Sequence, residues 1–240
     1  SGEIVVFTDA DAYCGPFALR NVVRCFADPR IGAVSASVLP MDHANESTES
    51  YYRGYYNTVR VAESKVHSTP IQTGSFMGFR RELLHRIGGL PAYTGNNDCT
   101  PASVLAFLGY RAIQLENEVV KEIIKKDQHL RKVRRAQHLL LSFLKTKKYA
   151  KEKELYTKSV FDRIWRVEWY LHVVNPWLLP LGAFLLLANT MALVFTSLVP
   201  LVIGLFLLGS RTFRMWILQQ VYLMTALVRN LWTKDIAWKQ

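Results

Sequence analysis

The chain has 240 residues, half of them apolar. That excludes a disordered tail and leaves room for one medium domain plus a smaller unit. Three cysteines, Cys14, Cys25 and Cys99, exclude a disulfide framework and, at their spacing, a structural zinc site, while a formal charge of +11 points to a polyanionic or membrane-surface partner.

The chain opens Ser1-Gly2-Glu3 and runs straight into Ile4-Val5-Val6-Phe7. This reads as a short apolar strand of the kind buried on both faces in a parallel sheet. A start inside a strand predicts that an N-terminal segment of the same domain precedes it. Thr8-Asp9-Ala10-Asp11 closes the strand. Pro16 suits the first turn of a helix ending at Phe26, and Asp28-Pro29-Arg30 turns the chain. Ile31 to Leu39 reads as a strand of small residues. Glu46 to Val66 reads as a helix carrying Tyr51, Tyr52, Tyr55 and Tyr56. Gly74 to Phe79 is a short strand, and Arg80 to Ile87 a helix stopped by Gly88-Gly89. Gly95-Asn96-Asn97-Asp98 is a polar loop. Cys99 to Leu108 is a helix closed by Gly109, Arg111 to Leu115 a strand, and Asp127 to about Tyr149 a long basic helix. Strands alternating with helices predict an α/β fold.

Charge and apolarity are segregated. Lys121 to Arg166 holds 15 Lys/Arg against 5 Asp/Glu, whereas the 42 residues from Trp169 to Ser210 hold no charged side chain. As one helix that run would be about 63 Å long, roughly twice a bilayer core. It therefore predicts a transmembrane hairpin of two helices of about 19 residues each, broken near Asn189-Thr190. All six tryptophans lie in the last third of the chain, as an interfacial belt would. Both flanks are basic, which places them in the cytoplasm of a multi-pass cell-membrane protein. Phe213 to Trp232 carries Arg214, Gln219, Gln220 and Arg229 and reads as an interfacial helix. The basic run lacks the glycines and interleaved aromatics of a single-strand platform, so no nucleic-acid partner is expected.

Two residues apart in an extended strand, Asp9 and Asp11 point the same way. They would offer two carboxylates at the sheet edge where open α/β folds bind ligands. Paired hard oxygens suit Mg²⁺ or Mn²⁺, which in turn bind phosphate oxygens. Asp98 stands before a helix, either as its N-cap or as a third functional carboxylate.

The order of these parts resembles the GT-A glycosyltransferases of family 2. Val6-Phe7-Thr8-Asp9-Ala10-Asp11 is similar to their strand and DxD motif. About 60 residues later, Thr73-Gly74-Ser75-Phe76-Met77-Gly78-Phe79-Arg80-Arg81-Glu82-Leu83-Leu84 resembles the glycine-rich strand and helix near the acceptor. Asn97-Asp98 stands where the family has its (Glu/Thr)-Asp motif, and Gly109-Tyr110-Arg111 resembles the turn into the next strand. Gln128 to Gln137 is similar to the Gln-x-x-Arg-Trp motif of membrane-integrated members. Two positions depart: Asn97 replaces an acid or Thr, and Lys132 stands in place of the motif's Trp. An alternative register puts Arg134-Arg135 at its Arg-Trp positions. The missing Trp leaves single-sugar transfer at least as open as processive synthesis.

The resemblance implies a GT-A-like, Rossmann-like sheet, incomplete at its N-terminus. Residues 1–126 would be the later part of the catalytic domain and 127–168 basic juxtamembrane helices. Residues 169–210 would be the two spans, and 211–240 an interfacial helix and cytoplasmic tail. It implies a nucleotide-sugar donor and an inverting mechanism, with Asp11 and Asp9 on the metal and Asp98 as base. Gln128, Arg131, Arg134 and Arg135 would lie near the leaving diphosphate, with Gly74, Ser75 and Asn97 near a lipid-linked or glycan acceptor. The alternative is a non-catalytic, membrane-anchored fragment or degenerate relative.

Overall fold

The computed structural model describes residues 2–41, 48–91, 96–123, 128–191 and 195–233. The expected starts at Glu46, Gly95 and Asp127, and the tail beyond Thr233, lie outside the described residues. Five strands form one mixed sheet: β1 (Ile4–Thr8), β2 (Ala12–Tyr13), β3 (Ile31–Pro40), β4 (Phe76–Arg80) and β5 (Arg111–Glu122). Their order is β1-β4-β3-β5-β2. Only β3 and β5 run parallel; the other pairings are antiparallel.

β1 pairs antiparallel with β4, and among the described residues it has no second neighbour and is partly buried. A short apolar run has no period that separates parallel from antiparallel pairing. β5 also runs well past the expected Leu115. Its apolar pattern breaks at Glu116-Asn117-Glu118, where the register against β3 slips, and pairing then resumes to Glu122. The slip hid the second half of the strand from the sequence pattern.

Helices cover both sheet faces. On one side α1 (Ala18–Cys25) lays Val22 and the following Phe26 over β4. A Cβ at Gly78 would come within 2.9 Å of Val22, so that position must be glycine for the helix to close. On the other side α4 (Cys99–Phe107) is buried along its whole length, behind α3 (Arg81–Arg86). The small residues of β3 follow from being covered twice: Ala33 faces α4, while Val34 and Ala36 face α1. A further helix, α2 (Thr48–Val66), packs on β3 and β5. Gly88, Gly89 and Gly109 take φ of +88°, +82° and +94°, as their helix-ending role requires.

The basic segment belongs to this core. From α5 (Gln128–Glu152) comes Phe143, and from α6 (Val160–Trp169) come Phe161 and Trp165. Phe107 meets the Phe161 and Trp165 rings at 4.9 and 5.8 Å between centroids. Some of the positive charge is answered internally. Lys147 pairs with Asp162 at 2.8 Å and lies over the Tyr156 and Trp165 rings, and Arg166 reaches the same carboxylate at 2.7 Å.

Past α6 the helix continues through a π-helical turn, Tyr170–Val174, into α7 (Asn175–Met191). Together they form one 32-residue helix with mean hydropathy 1.7 over its most apolar window, of which 11% is buried within the protein. The helix ends two residues after the expected break. The second half does not match the expected second span. After a 3₁₀ turn at Phe195–Ser197, α8 (Leu198–Leu207) has ten residues. That is about 15 Å, half of a bilayer core. It meets α9 (Arg211–Trp232) at 99°, with Gly209 and Ser210 at the corner. Among the described residues one helix is long and apolar enough to cross a membrane, or two if α8 and α9 count as one bent span, so a hairpin of two equal spans is not confirmed. α9 packs along α5 through Val133, Ala136, Leu140, Leu223 and Ala226, and Gln137 donates to Asn230 at 3.2 Å.

Phe184 and Leu187 are 67% and 55% exposed on the long apolar helix. Replacing both by arginine costs about 5–7 kcal/mol in hydrocarbon and little in water. The full-length protein is expected to fractionate with membranes after carbonate extraction, and Phe184→Arg/Leu187→Arg to lose that resistance. Equal membrane recovery of the two would remove this helix from the bilayer.

Candidate active site

Three residues, Thr73-Gly74-Ser75, lead into β4 at the end of the sheet, and two groups of carboxylates meet on them. On one side the Ser75 carbonyl accepts from Asp9 N at 3.1 Å and Thr8 Oγ1 at 3.2 Å, joining the end of β1 to the start of β4. The Ser75 hydroxyl donates to Glu122 Oε1 at the end of β5. The opposite oxygen, Oε2, takes Arg53 Nη1 of α2 at 2.9 Å and lies 3.8 Å from Arg135 of α5.

The electrostatics follow from this crowding. Desolvation pushes the Asp9 carboxyl above its usual range, and the charges of Glu122 and Asp11 push it further; the Ser75 hydroxyl and Arg135 oppose them. Burial also pushes Glu122 up. The Ser75 hydroxyl and the Arg53 and Arg135 guanidiniums outweigh it and hold Glu122 below the usual carboxylate range. Asp9 and Asp11 are therefore close, but not for the expected reason. They lie past the last residue of β1, in a turn closed by Ala12 N donating to the Asp9 carbonyl at 3.2 Å.

On the other side stands Asp98, the N-cap of α4. Its Oδ1 accepts from Cys99 N at 2.6 Å, and Asn96 Oδ1 accepts from the same N–H at 2.8 Å. Its second oxygen is turned to the loop: a Cβ built at Gly74 would lie 2.9 Å from Asp98 Oδ2. The cap reading of Asp98 is observed directly, and the same geometry leaves its second oxygen toward Gly74. One oxygen caps the helix and the other faces the turn. Gly74 is small because that carboxylate needs the space.

The sequence-predicted residues divide accordingly. Asp9, Asp11 and Ser75 gather at one end of the turn, and Gly74 and Asp98 at the other. Asn97 is exposed beside Asp98. Arg135 reaches the first group through Glu122. Burial and the neighbouring charges of Arg131 and Arg135 lower the Arg134 guanidinium below its usual value, as a cluster of like charges does. Gln128 begins α5, but its side chain lies outside the described residues.

Sequence reasoning missed Glu122 and Arg53. The available signal was phase. Val120 and Glu122 are two apart on one strand and both are buried, and an acid in phase with a core residue needs a partner.

Among the described residues no three His, Cys, Asp or Glu side chains converge as a complete metal cage. The donor set still fits a divalent ion of the Mg²⁺ or Mn²⁺ kind. Two neighbouring carboxylates repel each other there, and such ions take one or two carboxylates and fill the remaining positions with water and substrate phosphate.

Comparison with known proteins agrees with this architecture. Residues 4–209 match the family model for glycosyl transferase family group 2. The O-antigen chain rhamnosyltransferase RfbN of Salmonella typhimurium is 26% identical over 127 residues, covering 50% of this chain and 40% of that protein. Among solved structures, the mannosyltransferase PcManGT from Pyrobaculum calidifontis, in complex with GDP-Man and Mn²⁺, superposes with a TM-score of 0.80 and 39% identity. That alignment covers 98% of this chain and 64% of the mannosyltransferase. The chain thus spans less than two thirds of either relative. With the family model matched from β1 to the end of the apolar segment, the chain belongs to glycosyltransferase family 2.

Proposed function

We propose that the chain is part of an inverting glycosyltransferase that moves a sugar from a nucleotide-sugar donor to a membrane-associated acceptor, a polyprenyl-linked sugar or growing glycan. The carrying observation is the Thr73–Ser75 turn. Gly74 backs the free face of the Asp98 carboxylate, and the next residue is bonded to Glu122 beside Asp9. A base and a metal-type carboxylate cluster stand one residue apart along the backbone.

In this reading Asp98 Oδ2 takes the proton from the acceptor hydroxyl as that hydroxyl attacks the anomeric carbon. The helix cap on Oδ1 fixes the carboxylate while the attack proceeds. Asp11 and Asp9 would hold Mg²⁺ or Mn²⁺, which neutralises diphosphate oxygens when bound. Arg131, Arg134 and Arg135 supply further positive charge to the departing diphosphate. The GDP-Man and Mn²⁺ of the archaeal relative support a nucleotide-sugar donor and a divalent cation. The apolar helix Val160–Met191 supports an acceptor delivered at a membrane face, with the catalytic part in the cytoplasm. The charge of the 127–168 segment fits that surface.

Three outcomes test the reading in the full-length protein. Asp98→Asn keeps the cap and is expected to lower turnover by about 10²–10⁴-fold, the usual loss for a general base, with donor binding and thermal melting unchanged. A steady-state rate near wild type would return Asp98 to a purely structural cap.

Gly74→Ala places a methyl group 2.9 Å from Asp98 Oδ2. It is expected to reduce turnover by about 100-fold through displacement of the base while leaving Mn²⁺-dependent nucleotide binding in place. Loss of nucleotide binding instead would put Gly74 on the donor side.

The third outcome concerns pH. Asp9 is raised in the free protein, so the folded state holds its proton to higher pH than the unfolded chain does. Stability from this group therefore falls as pH rises through the window above 3.8. Metal binds the deprotonated form and displaces that proton. Mn²⁺ affinity, measured by calorimetry with nucleotide present, is expected to be level at neutral pH and to fall as pH is lowered through the raised Asp9 value. Asp9→Asn should flatten that dependence. Affinity that is constant down to about pH 4, where a free carboxyl begins to protonate, would remove Asp9 from the metal.

A further inference from the structure

The opposite end of the Thr73–Ser75 turn is held by a residue that the mechanism has not used. Arg60, on α2, donates from Nη1 to Thr73 Oγ1 at 3.1 Å. Thr73 Oγ1 in turn donates to Gln114 Oε1 at 3.5 Å. Arg60 Nε is fully buried and has no hydrogen-bond partner among the described residues. A buried donor without a partner costs stability, so packing alone does not account for Arg60 at this place.

The surroundings of Arg60 supply one. One turn along α2 is Glu63. Burial, and then the charge of Glu168, push its carboxyl up to about 8, so near neutrality Glu63 is largely protonated. Glu63 lies beside Thr69 and Glu168, with its Oε2 buried and without a hydrogen-bond partner among the described residues. Glu168 in turn faces His172, with Nδ1 3.1 Å from Oε2, and the His172 ring stacks on Phe143 of α5 at 5.4 Å. His172 lies in the π-helical turn that leads into the apolar helix. The segment around Arg60 is therefore pinned to the helix entering the apolar region, while its guanidinium reaches the active-site turn.

We propose that Arg60 is a positioning residue for sugar transfer: through Thr73 it holds the Gly74 backbone against Asp98, and so keeps the base aligned with an acceptor presented at the membrane face. The inference rests on Asp98 being the base. Among the described residues the Arg60 side chain donates to Thr73, on the Asp98 side of the turn, so its influence in this proposal belongs to the acceptor step and not to nucleotide binding.

The test uses Arg60→Met and Thr73→Val in the full-length protein, singly and together, with thermal melts, turnover, acceptor KM and Mn²⁺-dependent nucleotide affinity. Arg60→Met is expected to lower kcat by about 10- to 100-fold, the scale of a misplaced catalytic group, with nucleotide affinity unchanged. Thr73→Val should reproduce the loss, and the double variant should be no worse than the more impaired single one, because both break one linkage. Thr73→Val alone carries the test if Arg60→Met does not fold. Normal kcat in a folded single variant, losses that multiply in the double, or a matching loss of nucleotide affinity would overturn the positioning role. Asp98→Asn separates the two levels. If Asp98→Asn is inactive while Arg60→Met turns over normally, only the positioning role fails. If Asp98→Asn is active, the base reading itself fails, whatever Arg60→Met does.

Discussion

One residue, Ser75, ties the ends of three strands together: its hydroxyl donates to the Glu122 carboxylate, and its carbonyl accepts from Asp9 N and Thr8 Oγ1. β1 delivers Asp9 and Asp11, β4 begins after Ser75, and β5 ends at Glu122. Without the hydroxyl's bond Glu122 would be a buried carboxylate beside two others, an arrangement that desolvation and repulsion both oppose. The bond alone is not sufficient compensation. Arg53 from α2 and Arg135 from α5 close on the other oxygen of Glu122, so the site draws on helices far apart in the sequence. The outcome is polarised. The serine and two guanidiniums hold Glu122 below the usual carboxylate range, while burial and the charges of Glu122 and Asp11 push Asp9 above it.

In the proposed reading the same turn separates two chemistries within a small space. A carboxylate that held a metal and one that accepted a proton would each shift the other if they shared a pocket. The backbone of Gly74 stands between Asp98 and the group formed by Ser75, Glu122 and Asp9. Asp98 reaches it from the N-terminus of α4, a helix buried along its whole length, which gives its carboxylate a rigid mount.

The basic segment serves the core as well as the surface. α5 and α6 contribute Phe143, Phe161 and Trp165 to the main core, and Lys147 is held by Asp162 and two aromatic rings. The apolar helix is therefore an extension of an element already packed on the catalytic sheet. The Glu63–Glu168–His172 contacts lie at the point where that helix leaves the sheet domain.

Much of this was legible in the sequence because the signals are local. Gly88, Gly89 and Gly109 stop helices through their own backbone freedom. The charge-free run announces an apolar helix by composition, and Asp98 before an apolar helix announces a cap. What the sequence by itself determined was most of the larger elements, the positions of Asp9, Asp11 and Asp98 at their ends, and the segregation of basic from apolar segments. Tertiary structure alone decided that β1 pairs antiparallel with β4 and that β5 slips register and carries on to Glu122. It also decided that the second apolar run breaks into a ten-residue helix and a sharp corner. It alone brought Arg60 to Thr73, and Arg53 and Arg135 to Glu122 beside Ser75. The physical reason is range. Caps and helix stops are set by interactions within a few residues, whereas strand order, register and charge pairing are set by which distant surfaces must be buried together.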